Sequence, residues 1–311
     1  MNDRQRERVQ VTMQGRDCDD LPRVPNAGAV LTSEGGRPYQ LMHNGIKLYS
    51  EGHYGDVYTE VIKGLRGFHE PQQEKAFHEV LQRIQPNGTM IELGSYWAYY
   101  SLWFNQAIAG AVNYMVEPSP QHLQDGRDNF ALNKRTGQFI HACIGREPLE
   151  ETTITYRAGQ TCTVRQISLD SFLDAHVIDF VDILHADVQG VEYEMLQGGQ
   201  QALKNGRIGY LLISTHGPFL HKDCLQFLRK NDCTILAEHD SSDSYSVDGL
   251  IVAATKAIVN PSPIAISYRH STQRKKRVQN WYESYAPLPT LLRSTYRKIY
   301  WGVVGKAHAE N

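Results

Sequence analysis

Beyond Gly88, short apolar runs alternate with amphipathic stretches of helical period, and this alternation constrains the fold more than any other feature of the chain. Met90–Leu93, Val112–Val116, Phe139–Ile144, Val181–Asp187, Tyr210–Thr215, Thr234–Ala237 and Leu250–Ala254 read as strands. Helical patterns at Tyr99–Ile108, Gln121–Leu132, Tyr193–Leu203 and Phe219–Arg229 fall between most of them. Near-continuous apolar strands separated by helices imply a mostly parallel sheet of about seven strands, covered on both faces. The segment Thr152–Ile167, centred on Arg157-Ala158-Gly159-Gln160, predicts a β-hairpin inserted before the fourth strand.

The rest of the chain divides around this domain, which spans residues 89–260. Residues 1–38 are polar and rich in Gly, Pro, Asp and Arg, without periodicity, and are expected to form a flexible arm. Residues 39–88 predict a helical cap. Val57, Val61, Ile62, Leu65 and Phe68 recur at helical spacing, as do Phe77, Val80, Leu81 and Ile84 before the stop at Pro86-Asn87-Gly88. Residues 261–311 form a basic, aromatic extension in which Leu288, Leu292, Tyr296, Ile299 and Val303 fall near helical spacing. Such a helix packs on the domain's own surface, or lies on an anionic membrane face or a protein partner.

A formal net charge of −2 gives no reason to expect nucleic acid as the main partner. The five cysteines are scattered, with no metal-finger spacing, and read as free thiols of a reducing compartment. The charged first ten residues show no apolar signal region, and no run approaches the ~20 apolar residues of a membrane span. The expected location is therefore the cytoplasm, with peripheral attachment at the inner face of the membrane as the tail's alternative.

In an open α/β sheet the ligand lies beyond the carboxyl ends of the strands, where the strand order reverses. The first strand ends in Glu92-Leu93-Gly94 and runs through Ser95-Tyr96-Trp97-Ala98 into a helix. A glycine there permits a tight reversal, and the helix N-terminus beyond it favours an anionic group. The second strand ends in Val116-Glu117-Pro118. A carboxylate at that point can accept hydrogen bonds from both ribose hydroxyls of a nucleoside. The dinucleotide fingerprint G-x-G-x-x-G is absent, which argues against nicotinamide.

Longer blocks carry a more specific resemblance. His69-Glu70-Pro71-Gln72-Gln73-Glu74, Thr89–Gly94 and Tyr99-Tyr100-Ser101-Leu102 come first, followed by Val116–Pro120 with Asn129 to Asn133. Ser168-Leu169-Asp170-Ser171-Phe172 precedes the block Asp182–Glu192, with Leu196 and Gly198-Gly199 after it. Over residues 68 to 216 this order resembles the FkbM family of S-adenosylmethionine-dependent methyltransferases. The resemblance implies a Rossmann-like class I methyltransferase sheet with S-adenosylmethionine as cofactor. It carries over Glu92 and the turn Gly94, Ser95, Tyr96, Trp97 and Ala98 as the methionine end of the site. Glu117, with Pro118, becomes the ribose clamp, Ala142 and Cys143 flank the adenine, and Asp187 also borders the cofactor. The sequence departs from the family's Gly-Ala-Asn-x-Gly in having Gly94-Ser95-Tyr96-Trp97-Ala98, with alanine as the last residue and two aromatics in the loop.

Methyl transfer to a hydroxyl requires removal of its proton, and Asp187 and His216 follow the fourth and fifth strands at the reacting edge. Two chemical readings stand. One of the pair acts directly as base, or Asp187 and His216, with Glu192, hold Mn²⁺, Fe²⁺ or Zn²⁺ that polarises the hydroxyl. The alternative without chemistry has Asp187 capping the next helix and His216 as a satisfied loop residue. His185, inside its strand, is expected to be packed core. In the cap, His53, Tyr54, Tyr58, His69 and His78 either face a sugar or finish the surface. Glu70 and Glu74 either reach the cofactor's amino group or cap their helix.

The acceptor expected from the family is a hydroxyl of a saccharide or glycosylated metabolite. N-methylation of an amino sugar, or a non-catalytic cofactor-binding scaffold in a biosynthetic complex, are the alternatives.

Overall fold

The structure, a computed structural model, describes residues 1–50, 56–155 and 161–270. The hairpin turn at 156–160, His53 and Tyr54 of the cap, and the chain from residue 271, including the expected tail helix, lie outside the described residues. Among the described residues no helix is long and apolar enough to cross a membrane.

Seven strands form the central sheet: β4 (Thr89–Leu93), β5 (Val112–Glu117), β6 (Gln138–His141), β10 (Val181–Ala186), β11 (Ile208–Thr215), β12 (Thr234–His239) and β13 (Gly249–Ala254). Their order is β12-β13-β11-β10-β4-β5-β6. All run parallel except β13, which is antiparallel to both β11 and β12. This is the Rossmann-like, mostly parallel architecture that the resemblance implied. The chain moves outward from β4 in one direction through β5 and β6, and in the other through β10 and β11, so the order reverses between β4 and β10. A crevice opens at such a point.

Alternation along the strands divides the core in two. On β4, Met90 packs into a layer with α3 (Pro71–Leu81) and α4 (Tyr99–Ala107), and α5 (Pro120–Leu132) adds Phe130 to it. Ile91 and Leu93 pack into the opposite layer, with α6 (Leu169–Ala175), α7 (Glu192–Gly198), α8 (Gln200–Lys204) and α9 (Pro218–Lys230). The apolar strands are therefore covered on both faces, as their composition requires.

Several boundaries differ from those read in the sequence. The run 139–144 is not one strand. β6 ends at His141, and β7 (Cys143–Ile144) joins a separate sheet with the inserted hairpin β8 (Leu149–Thr155) and β9 (Thr161–Ile167). The stretch 193–203 is broken at Gly199 into α7 and α8. Asp170 explains the restart, since its carboxylate accepts from the amides of Gln201 and Ala202 in the first turn of α8.

Residues 1–38, expected as a flexible arm, are instead folded. They hold α1 (Asp3–Thr12) and β1 (Val30–Thr32). A capping box at Asn2 and Gln5 starts α1, and Val9, Cys18 and Leu21 join α2 (Asp56–Gly64) in a small core. Helix α1 is nearly all polar, so it has no apolar stripe for a periodicity reading to find. The cap is likewise not purely helical, because β2 (Pro38–Leu41) pairs with β1 on one side and with β3 (Lys47–Tyr49) on the other, ahead of α2 and α3. Asn133 and Asn129 tie this small sheet to the main domain. Asn133 Oδ1 accepts from Lys47 N, and Asn129 Oδ1 accepts from Tyr49 N.

At the switch point the turn after β4 is built around glycine. Gly94 has φ of 71°, and a Cβ placed there would run into the carbonyl oxygen of Asp187. Asp187 N donates to Leu93 O at 2.9 Å, so the two strand ends are locked side by side. Ala98, the departure from the family's glycine, is held at φ of 59° as the residue before α4. We predict that Gly94→Ala lowers the unfolding free energy by about 3 kcal/mol, the upper end for left-handed strain. Ala98→Gly changes it by less than about 1 kcal/mol, because relief of strain is offset by the entropy glycine adds to the unfolded chain and by the loss of a buried methyl. Urea melts measure both, with Gly35→Ala, which has nothing within 4 Å, as the neutral control.

Candidate active site

The loop Gly94–Ala98 is fixed from the neighbouring strand. Gly94 N and Ser95 N both donate to Val116 O, and Tyr96 N donates to Glu117 Oε2 at 3.0 Å. Glu117 Oε1 accepts from Ser119 N at 2.9 Å. Each oxygen of this buried carboxylate thus receives one backbone donor and keeps a lone pair for another. Trp97 turns into the core, edge-on to His69 at 5.3 Å, and its carbonyl accepts from Asn129 Nδ2. The adjoining Pro118 carbonyl accepts from His141 Nε2 and from the Cys162 thiol of the inserted hairpin. Ala142 and Cys143 are buried beyond the end of β6.

Glu92 does not stand in the open crevice. It is 2% exposed and accepts from Ser101 N, satisfying an amide in the first turn of α4. Burial pushes its pKa up to about 8. It starts a polar row under the strand ends. His185 Nδ1 lies 3.8 Å from Glu92 Oε1, Gln73 Nε2 donates to His185 Nε2, and Gln73 Oε1 accepts from Ser214 Oγ. Burial, with the charge of His69, drives the pKa of His185 down to about 3, which keeps this core imidazole neutral.

Asp187 and His216, separated by 28 residues in sequence, are brought together by the pairing of β10 with β11. His216 Nε2 lies 3.4 Å from Asp187 Oδ1. Asp248, which the sequence reading missed, approaches the same nitrogen at 3.3 Å. Asp187 Oδ1, His216 Nε2 and Asp248 Oδ1 form the one set of donors within 4.8 Å of one another that suits a metal among the described residues. Glu192, expected in that set, is 0% exposed and behind it, accepting from His216 Nδ1 at 2.6 Å and from Gly190 N. Geometry therefore puts Asp248 where Glu192 was expected, and gives Glu192 the task of fixing the imidazole. Asp187 remains 31% exposed at its side chain, so its carboxylate reaches the crevice.

Three carboxylates around one imidazole decide its charge. Burial disfavours the imidazolium, but Asp248, Glu192 and Asp187 overcome it and raise the pKa of His216 to about 10. Burial also raises Asp187 above the ordinary carboxylate range, against the pull of His216. His216 is thus a held cation at neutral pH, and of the pair Asp187 is the one suited to accept a proton.

The cap supplies further groups at this edge. Glu74 accepts from the amides of His69 and Glu70 and so caps α3, while Glu70 Oε2 accepts a hydrogen bond from the Tyr100 hydroxyl at 2.9 Å. Gln72 binds the loop that leads to Asp248, donating to Asp243 O and accepting from Tyr245 N.

A family model described as the methyltransferase FkbM domain matches residues 79–234. That span is half of the chain, and the protein belongs to this family of methyltransferases. Among solved structures it is similar to a precorrin-6y C5,15-methyltransferase from Geobacter metallireducens, at 14% identity over 58% of this chain and 88% of that one, with a TM-score of 0.38. A SAM-dependent methyltransferase from Aquifex aeolicus is similar at 12% identity over 59% and 89%, with a TM-score of 0.39. TrmK of M. capricolum, in complex with S-adenosyl-homocysteine, is similar at 13% identity over 74% and 96%, with a TM-score of 0.40. No curated protein matches the sequence. The family assignment rests on the family match and not on these distant similarities.

The charge on His216 has a measurable signature. We predict that its imidazole resonances still report the protonated ring at pH 8 and titrate only near pH 10. Because the folded pKa lies above the ordinary imidazole value of 6.5, the stability from this group is complete below pH 6.5 and is lost as pH rises through about 10. Glu192→Gln moves the NMR midpoint down. A wild-type midpoint near 6.5 would mean that the carboxylates do not hold the proton.

Proposed function

We propose that the protein is an S-adenosylmethionine-dependent O-methyltransferase acting on a hydroxyl of a saccharide or glycosylated metabolite. The observation that carries the chemistry is the half-exposed Asp187 carboxylate, set against the Gly94 turn with the His216 cation beside it. The donor set fits the cofactor. Glu117 keeps a lone pair on each oxygen for the two ribose hydroxyls, with Pro118 beside it and Ala142 and Cys143 toward the adenine. The Gly94–Ala98 turn borders the methionine end, and Glu92 supports that turn from below.

When bound, S-adenosylmethionine supplies an electrophilic methyl group and leaves as the neutral thioether. Asp187 accepts the hydroxyl proton as the acceptor oxygen forms its bond to carbon, which contributes about 10²–10⁴-fold. His216 keeps Asp187 ionised enough to act, and Glu192 keeps His216 oriented. The loop carrying Asp248 closes the far side of this charge cluster.

The convergence of Asp187 Oδ1, His216 Nε2 and Asp248 Oδ1 favours a second reading, in which a divalent cation takes the place of the His216 proton. Mixed carboxylate and imidazole donors suit Mn²⁺, Fe²⁺ or Zn²⁺, and the ion would polarise the acceptor hydroxyl. Glu192 on the other ring nitrogen is the arrangement that orients an imidazole toward a metal.

Calorimetry with S-adenosylhomocysteine tests the cofactor half. Glu117→Ala is expected to weaken binding by about 1.5–3 kcal/mol, the range for hydrogen bonds to a charged group. Unchanged affinity would remove Glu117 from the ribose. Mass analysis of candidate glycans incubated with the enzyme and methyl donor identifies the acceptor by the gain of one methyl. With that acceptor, Asp187→Ala and His216→Ala are each expected to lower turnover at least about 10²-fold, with cofactor affinity near normal. Activity lost to EDTA and restored by Mn²⁺ or Fe²⁺ selects the metal reading, and indifference to chelator selects direct base catalysis. Normal turnover in both variants would remove the pair from the chemistry. Methylation of amino sugars alone would replace the hydroxyl with nitrogen.

A further inference from the structure

The methionine end of S-adenosylmethionine carries an ammonium as well as a carboxylate, and an ammonium taken out of water needs an acceptor of opposite charge. Most acids at this edge of the sheet are already committed. Glu92 is buried and serves Ser101 N beneath α4. Glu192 is buried and serves His216 and Gly190 N. Glu117 lies on the neighbouring strand end, between Tyr96 N and Ser119 N. Asp187 and Asp248 flank His216 Nε2.

Glu70 is differently placed. It stands at the N-terminus of α3, where an acid ordinarily caps the helix, yet its side chain makes no capping hydrogen bond. Glu74 does that work instead, accepting from both His69 N and Glu70 N. Released from the cap, Glu70 Oε2 takes the hydroxyl of Tyr100, the second residue of α4, the helix that starts directly after the Gly94–Ala98 turn. It is therefore tied to the first turn of the helix that follows that loop. Its charge is felt at Asp187, and it feels the charge of Asp248, so it belongs to the same crevice.

Its side chain is 14% exposed, and among the described residues its one basic partner in an ion pair is His69, with Nε2 at 3.6 Å. His69 is itself shared, since its Nδ1 lies 3.4 Å from Glu74 Oε1. Among the described residues no lysine or arginine forms an ion pair with Glu70 or Glu74. Two carboxylates share one imidazole, which leaves Glu70 short of positive charge.

Given the cofactor reading above, on which this inference rests, we propose that Glu70 is the anchor for the ammonium of the cofactor's methionine moiety. Tyr100 and His69 hold its carboxylate in place, and the N-terminal cap is then part of the cofactor site. The role expected of Glu92 from the family resemblance passes to a residue outside the sheet.

Two probes separate this inference from the cofactor reading itself. S-adenosylhomocysteine carries the amino-acid end, and 5′-methylthioadenosine carries the same adenosine and thioether without it. Calorimetry on the full-length protein is expected to show Glu70→Gln weakening S-adenosylhomocysteine at least about tenfold, the low end for a charge-assisted hydrogen bond. Its affinity for 5′-methylthioadenosine should stay within about twofold, which also certifies the fold of the variant. Tyr100→Phe should lose affinity in the same selective manner and to a smaller degree. Unchanged S-adenosylhomocysteine binding in Glu70→Gln overturns the inference, and so does an equal loss for both probes. A wild-type protein that binds neither probe refutes the cofactor reading and the inference with it.

Discussion

Gly94 and Asp187 meet where β4 and β10 end side by side, and that contact sets the turn after β4 against the Asp187 strand end. The Asp187 amide donates to Leu93 O, and the missing side chain of Gly94 leaves room for the Asp187 carbonyl. One strand end then leads into the turn whose amides meet Val116 and Glu117, and the other presents a carboxylate at the crevice. The strand order reverses at this point, so the connections from β4 and β10 leave in opposite directions and a crevice opens between them. A larger residue at position 94 would push the turn away from the Asp187 strand end.

The second organising feature is an excess of negative charge in a place poor in water. Asp187, Asp248 and Glu192 surround the single imidazole of His216, and Glu70 and Glu74 surround His69. Buried carboxylates of this kind persist when a proton, a donor or a cation meets them. Around His216 the three carboxylates favour a proton on the ring. Around Glu70, under the proposal above, the cofactor's ammonium would supply the positive charge.

The sheet was readable from sequence because β4, β5, β10, β11 and β13 are apolar runs at regular intervals, and the turn glycine and strand-end acids mark their ends. Asp187, His216 and Glu117 could be picked out for that reason. Asp248 could not. It precedes β13, and periodicity reveals that β13 is a strand but not that it runs antiparallel. Only that reversal carries the start of β13 to the edge where the parallel strands end. Glu70 and Glu74 were seen as a pair sharing a helix face, but which one caps α3 depends on the path of the chain at His69. Helix α1 left no trace because its burial is limited to Val9 and Thr12. The departure Ala98 was visible as a substitution, whereas its left-handed backbone was not.

The proposed placing of Glu117 and Asp187 around the cofactor is tested most directly by a crystal structure of the protein with S-adenosylhomocysteine. Both ribose hydroxyls are expected within about 3 Å of the Glu117 carboxylate. The thioether sulfur is expected over the Gly94 turn, facing the Asp187 carboxylate. A ligand bound elsewhere on the sheet, or one in this crevice with its sulfur turned away from Asp187 and His216, would contradict that placing.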